Sequence, residues 1–271
     1  MPGIIDTHAH INYPDFSDNI DNVLSDCEEL GVEKIIAIAT DLKASEDVIQ
    51  LSEKYDPIYA VVGCHPCDAL NAPDDIRTEL KQMAKNSKVV AIGETGLDYY
   101  RMPSQMDESK SEADDSRYIE KQAHLFEQQI EVAIESNLNL VIHQRSAFDE
   151  TMKYLQPLAD KVKGVFHCFV GSPEQQKMVE AMGSLVSFTG IVTFKNAEEV
   201  RVTVEATPID KLMVETDCPY LAPVPFRGKK CYPHHVFHVA KTIAQIKGTT
   251  IDELADITTN TAHHFFKGLK G

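Results

Sequence analysis

Seven residues of this 271-residue chain have side chains that could hold a divalent cation or work beside one, and each ends or follows an apolar run. His8 and His10 close "GIIDTHAH", His65 follows "AVVGC", Glu94 closes "VVAIGE", His143 ends "LNLVIH", His167 ends "KGVFH" and Asp217 ends "LMVETD". Neutral imidazole suits zinc and similar ions, whereas carboxylate suits magnesium, manganese or a bridging place between two ions. Taken singly these signals are weak, because a histidine after an apolar run is more often a packed core or loop residue. Their coincidence is stronger: six of the seven, all but His65, fall at the ends of five different predicted strands. Packing accidents would not gather on one rim, so the set points to a metal site.

The elements that must position these residues alternate along the whole chain. Short β-branched runs predict strands near 3–9, 34–40, 57–63, 88–94, 138–143, 163–168, 184–190 and 211–217. Between them lie segments of helical period such as "NIDNVLSDCEELG", "RYIEKQAHLFEQQIEVAIES" and "PEQQKMVEAMG", with Gly31 and Gly183 at helix ends. No linker or composition shift divides the chain. The pattern predicts an α/β protein: one (β/α)8 TIM-type barrel domain over 1–271 with an extra C-terminal helix. An open doubly wound sheet is the other arrangement, but no glycine-rich phosphate loop follows the first strand. In a parallel barrel the loops after the strands open on one face, which is where the seven residues fall. The polar, acidic stretch "RMPSQMDESKSEADDS", 101–116, breaks the rhythm and predicts a mobile loop after the fourth strand.

With 43% hydrophobic residues the chain can bury roughly three quarters of its unfolded surface without disulfides. Its six cysteines are scattered and no leader-like stretch precedes the first strand, so a reduced, cytoplasmic protein is expected. No apolar run approaches the ~20 residues that cross a bilayer. The formal charge of −16 disfavours a protein that grips long duplexes through a basic face. Bound cations could supply the local positive charge instead.

Strand parity places Asp6 two before His8 and Glu215 two before Asp217, so each is expected to face the interior and orient a ligand. Asp98 is a candidate for similar work. Asn260 is expected to cap the last helix. Among the other histidines, His124 in a helix is read as a surface residue, His234, His235 and His238 after Pro233 as structural, and His263 and His264 in the last helix are given no role. Cys64 and Cys67 form a C-x-x-C without a second pair, and both are read as incidental.

In order along the chain, "DTHAH", "GCHP", "GETGLDYY", "IHQR", "FHCFVGS", "ETDCPYLAPVPFRGK" and "TTNTAHHFF" resemble the signature blocks of the TatD family of metal-dependent hydrolases, within the amidohydrolase-like barrels. The resemblance runs from residue 4 to residue 266. It implies two divalent cations, magnesium, manganese or zinc, and phosphodiester hydrolysis as a deoxyribonuclease acting on single-stranded or frayed DNA ends. Position by position, His8, His10 and Asp217 would hold one ion and His143 and His167 the other, with Glu94 bridging and His65 facing the substrate. The family usually has a small residue where Gln144 stands, and Ser or Ala where Cys218 stands; neither is a ligand position. The acidic insertion is longer than the family pattern and bears on substrate preference.

Two divalent ions beside Glu94 and Asp217 would leave excess positive charge at the barrel mouth and acidify a water, with Asp217 placed to take its proton. His65, Arg145 and Arg227 are the candidate phosphate contacts, and Lys229 and Lys230 could add outer ones. No membrane or obligate protein partner is expected. Other readings keep the site and change the bond, to a small ester, lactone or aminoacyl ester; many such relatives bridge their metals with a carboxylated lysine where this chain has Glu94. A nucleobase deaminase fits less well, and an inactive scaffold would be expected to lack a ligand.

Overall fold

The computed structural model describes residues 3–17 and 19–270. Eight parallel strands pair in chain order: β1 (Ile4–Ala9), β2 (Val32–Ile38), β3 (Ile58–Val62), β4 (Val89–Asp98), β5 (Asn139–Arg145), β6 (Gly164–Phe166), β7 (Leu185–Phe188) and β8 (Leu212–Val214). The ring closes just past β8. Asp217 N donates to His8 O at 2.9 Å, His10 N donates to Cys218 O at 2.9 Å, and Ala9 bridges Cys218. The expected (β/α)8 barrel is therefore present.

Two apolar layers build it. One lies between the sheet and the surrounding helices. The other collects Ile5, Ile36, Val61, Val141, Val165 and Met213 from six strands, with Phe265 and Phe266 from the final helix Ile251–Phe265 and the residue after it. Side chains from so many strands can meet only in the lumen, and the end of the final helix seals its N-terminal mouth. Asn139 Nδ2 donates to Phe265 O at 2.6 Å and Thr259 Oγ1 to Gly3 O at 2.7 Å, fixing that plug. Function is left to the opposite mouth.

Several expected boundaries move. The third, sixth, seventh and eighth strands end at Val62, Phe166, Phe188 and Val214, short of the expected 63, 168, 190 and 217. At Cys168 (φ 46°) and Asp217 (φ 60°) the backbone is left-handed and cannot continue a strand. β4 and β5 instead run on to Asp98 and Arg145, pairing Gly96 with His143 and Asp98 with Arg145. The 101–116 stretch is not an open loop: it contains a short helix, Pro103–Met106, and the start of the long helix Glu112–Glu135. Two of its acids are structural: Asp115 accepts from Ser104 N and Oγ (2.8 and 2.6 Å), and Asp114 accepts from Ser111 N (2.9 Å) at the helix start. Acidic side chains in a first turn also interact favourably with the positive end of the helix dipole. Asn260 lies inside the final helix, and Thr250 caps it by accepting Glu253 N at 3.1 Å.

Candidate metal centre

Glu94 lies at the middle of the mouth, buried, with imidazoles converging on it from four strands or the residues just past them. Its Oε1 is 2.8 Å from His167 Nε2, 2.9 Å from His143 Nδ1 and 3.3 Å from His65 Nε2. Its Oε2 is 3.4 Å from His8 Nε2 and 3.6 Å from His10 Nε2. Those two rings also face Asp217 Oδ1, at 3.6 and 3.4 Å. The seven residues singled out in the sequence thus meet in one cluster, and the carboxylate of Glu94 divides its oxygens between two sets of nitrogens.

The strand geometry behind this is unusual. The β4–β5 pairing shifts register between Ile92 and Thr95, around Glu94. Gly96 (φ 133°) permits the close approach, because a Cβ there would sit 2.0 Å from His143 O. β1 also shifts against β2 between Asp6 and Ala9, which breaks the parity that would align Asp6 with His8. Asp6 accordingly touches no imidazole ring; it accepts Thr216 N at 2.9 Å and Thr216 Oγ1 at 2.6 Å.

Hydrogen bonds on the far edges of the rings decide which nitrogens face the centre. His10 Nδ1–H donates to Ile38 O at 3.1 Å, which turns Nε2 towards Asp217. His143 Nε2–H donates to Asp98 Oδ2 at 3.0 Å, leaving Nδ1 towards Glu94. His167 Nδ1 points to Glu215 Oε1 at 3.6 Å, and Glu215 itself accepts Cys168 N and Ser187 Oγ at 2.6 Å each. His65 differs: its Nδ1 accepts Cys67 N at 3.0 Å, so its proton sits on Nε2 and its inner edge is a donor.

A divalent cation suits this donor set. The Nε2 of His8, which faces Glu94 and Asp217, is buried without a hydrogen-bond partner among the described residues. Buried polar atoms of that kind are costly unless something satisfies them. Three groups offer ligand atoms within 4.8 Å of one another: His8, His10 and Asp217; His8, Glu94 and His167; and His65, Glu94 and His143. Burial alone would raise the Glu94 carboxyl, but the charges of His167, His65 and His8 hold it well below its usual range. Burial would likewise raise the Asp217 carboxyl, but the hydrogen bond from His10 and the charge of the nearby imidazoles lower it below its usual range. Burial lowers His8, and the neighbouring His167 lowers it further.

The outer candidates lie on aromatic rings. The Arg145 guanidinium covers Tyr100 at 3.6 Å and that of Arg227 covers Phe194 at 3.7 Å. Lys230 is tied to Asp15, through its carbonyl and its carboxylate, both at 3.1 Å, which uses up one proposed phosphate contact. Of the remaining histidines, His235 stacks on Phe226 at 4.2 Å and His124 is exposed on its helix.

Two glutamines were not anticipated. Gln129 brackets Cys64, accepting its N–H at 2.8 Å and donating to its carbonyl at 3.0 Å, and Gln122 brackets Asp98 in the same way at 2.8 and 2.9 Å. Both are buried on the helix Glu112–Glu135, one helical face apart by seven residues. Polar residues on a core-facing stripe were the available signal.

The family model described as TatD related DNase matches residues 5–267. The uncharacterized metal-dependent hydrolase YabD of Bacillus subtilis is 38% identical over 265 residues, spanning 97% of this chain and 99% of its own. YcfH of Escherichia coli, named likewise, is 36% identical over 269 residues, spanning 97% and 95%. The crystal structure of YJJV, a TatD homologue from Escherichia coli, superposes with a TM-score of 0.87 at 28% identity over 97% of each chain.

Proposed function

The chain belongs to the TatD-related DNase family, and from that premise we propose that it is a metal-dependent hydrolase that cleaves phosphodiester bonds in single-stranded or frayed DNA. The observation that carries this reading is the division of the Glu94 oxygens between His8 and His10 on one side and His143 and His167 on the other. A carboxylate so placed would be shared if two ions bound on its two sides. In this reading His8, His10 and Asp217 would hold one divalent cation and His143 and His167 the other, within one barrel domain of a cytoplasmic protein. Bound there, such ions supply charge that draws a phosphodiester, stabilises its transition state and acidifies a water.

The chain's own groups do the rest. Asp217, ionised at neutral pH and partly open to the mouth, accepts the proton lost by the attacking water. His65 presents an Nε2–H donor to a phosphate oxygen, because Cys67 occupies its other nitrogen. Arg145 and Arg227, held over aromatic rings, are ready for further phosphate oxygens without first breaking a salt bridge to any of the described residues. Asp98 keeps the ring of His143 aimed inward through a hydrogen bond, and the Glu215 carboxylate lies 3.6 Å behind that of His167.

The test sets metal-stripped protein, restored with magnesium, manganese or zinc, against single-stranded DNA labelled at either end and against aryl and aminoacyl esters, with Glu94→Gln as control. Cleavage of the labelled strand that depends on metal and on Glu94 is expected. Hydrolysis of the esters alone would move the assignment to a small-ester hydrolase using the same centre.

A further inference from the structure

Two large aromatic side chains stand half exposed at the mouth, Tyr100 (50% exposed) and Tyr220 (54%). One exposed tyrosine is ordinary. These two are each anchored by their own backbone N–H to a carboxyl-bearing residue of the centre. Tyr100 N donates to Asp98 Oδ1 at 2.9 Å, and the other oxygen of that carboxylate holds the His143 ring. Tyr220 N donates to the backbone carbonyl of Asp217 at 3.0 Å, and its ring meets His10 edge-on at 6.5 Å and Tyr13 at 6.4 Å. One tyrosine therefore belongs to the His143 side of Glu94 and the other to the His10 and Asp217 side.

The cation beside Tyr100 adds to the pattern. Arg145, two residues past His143 and exposed, stacks on the Tyr100 ring at 3.6 Å. In a chain with 42 acidic and 26 basic residues, its guanidinium makes no carboxylate contact within 4.0 Å among the described residues. A flat aromatic surface with an unneutralised cation on it suits a nucleobase and its phosphate.

We propose that Tyr100 with Arg145, and Tyr220 backed by Tyr13, are the base-stacking stations for the two nucleotides that flank the scissile phosphate. This rests on the phosphodiester reading above and extends it to the residues that select the substrate. A single strand lying across Glu94 places one base on each side, whereas a paired base keeps its faces inside the duplex. Selection for unpaired ends then comes from the rim tyrosines, not from the metal ligands, and the acidic surface elsewhere discourages a duplex from lying down.

The experiment combines enzyme variants with base-deleted substrates. Kinetics of Tyr100→Ala, Tyr220→Ala and Tyr220→Phe are measured with the manganese-loaded protein on a single-stranded oligonucleotide, and on the same strand with an abasic residue on one or the other side of the cleaved bond. Each alanine variant is expected to raise KM roughly tenfold to a hundredfold on the intact strand with kcat little changed. Each should have no further effect on the strand lacking the base it stacks, and Tyr220→Phe, which keeps the ring, should restore the wild-type KM. Alanine variants that leave KM unchanged, or raise it equally with and without the base, overturn the stacking assignment alone. An intact strand that the wild-type protein does not cleave overturns the nuclease reading, and the stations with it.

Discussion

Asp6 and Thr216, 210 residues apart in the chain, are joined twice: the Asp6 carboxylate accepts the Thr216 N–H at 2.9 Å and its hydroxyl at 2.6 Å. The pair ties β1 to the residues past β8 where the barrel closes, one residue before Asp217 turns through left-handed backbone. Asp6 thereby positions a carboxylate and not an imidazole. Asp6→Ala would leave a buried N–H unpaired, costing about 1–3 kcal/mol, and should weaken cation binding by displacing Asp217. Asp6→Asn keeps an acceptor for that N–H and should lose less of both. Chemical denaturation and a manganese titration of the two variants check this; equal losses would mean that charge, not tethering, is what Asp6 provides.

Asp98 carries the bond that sets the His143 tautomer. Asp98→Ala is expected to reduce metal affinity or turnover by about 10–100-fold. Asp98→Asn, whose carbonyl can still accept the Nε2–H, should fall between the variant and wild type. Metal content after dialysis against a weak chelator gives a readout separate from rate.

Cation binding should release protons. Burial alone would lower His10, His143 and His167, but hydrogen bonds and charge from Asp217, Asp98 and Glu94 raise all three in the metal-free protein. These rings then keep protons at pH values above the usual ~6.5 of histidine, and an incoming cation must displace them. Affinity accordingly rises with pH through that window and falls below it, by about tenfold per pH unit for each proton displaced. Calorimetry in two buffers of different ionisation enthalpy should give different apparent heats; identical heats and a pH-independent affinity would contradict the protonated rings.

Gly96→Ala tests how tightly β4 and β5 are joined beneath the centre. The added Cβ would lie 2.0 Å from His143 O on a backbone with φ 133°, so a loss of at least ~1–3 kcal/mol is expected. The His143 ring would move with its strand. A variant of unchanged stability and activity would mean that the pairing of Gly96 with His143 is not required.

The barrel was legible because its helical and strand periods alternate without interruption, and because ligand-type residues recur at strand ends. Six of the seven residues of the cluster came from that rule, and His65 from the segment that follows the third strand. What escaped was set by tertiary contacts with no local signature. The left-handed turns at Cys168 and Asp217 shorten β6 and β8, and the register shift in β1 defeats the parity argument for Asp6. Gln122 and Gln129 look like surface residues until the helix Glu112–Glu135 is laid against β4. The acids of 101–116 read as a solvated loop, yet several of them bond serines at helix starts.

The central claim is that two cations share Glu94 to cleave a phosphodiester, and the most direct measurement is the manganese-to-protein ratio at which cleavage of a single-stranded oligonucleotide by metal-stripped protein saturates. The account predicts saturation at two equivalents, with Glu94→Gln binding fewer and cleaving at background. Full activity at one equivalent, or cleavage that needs no metal, would contradict it.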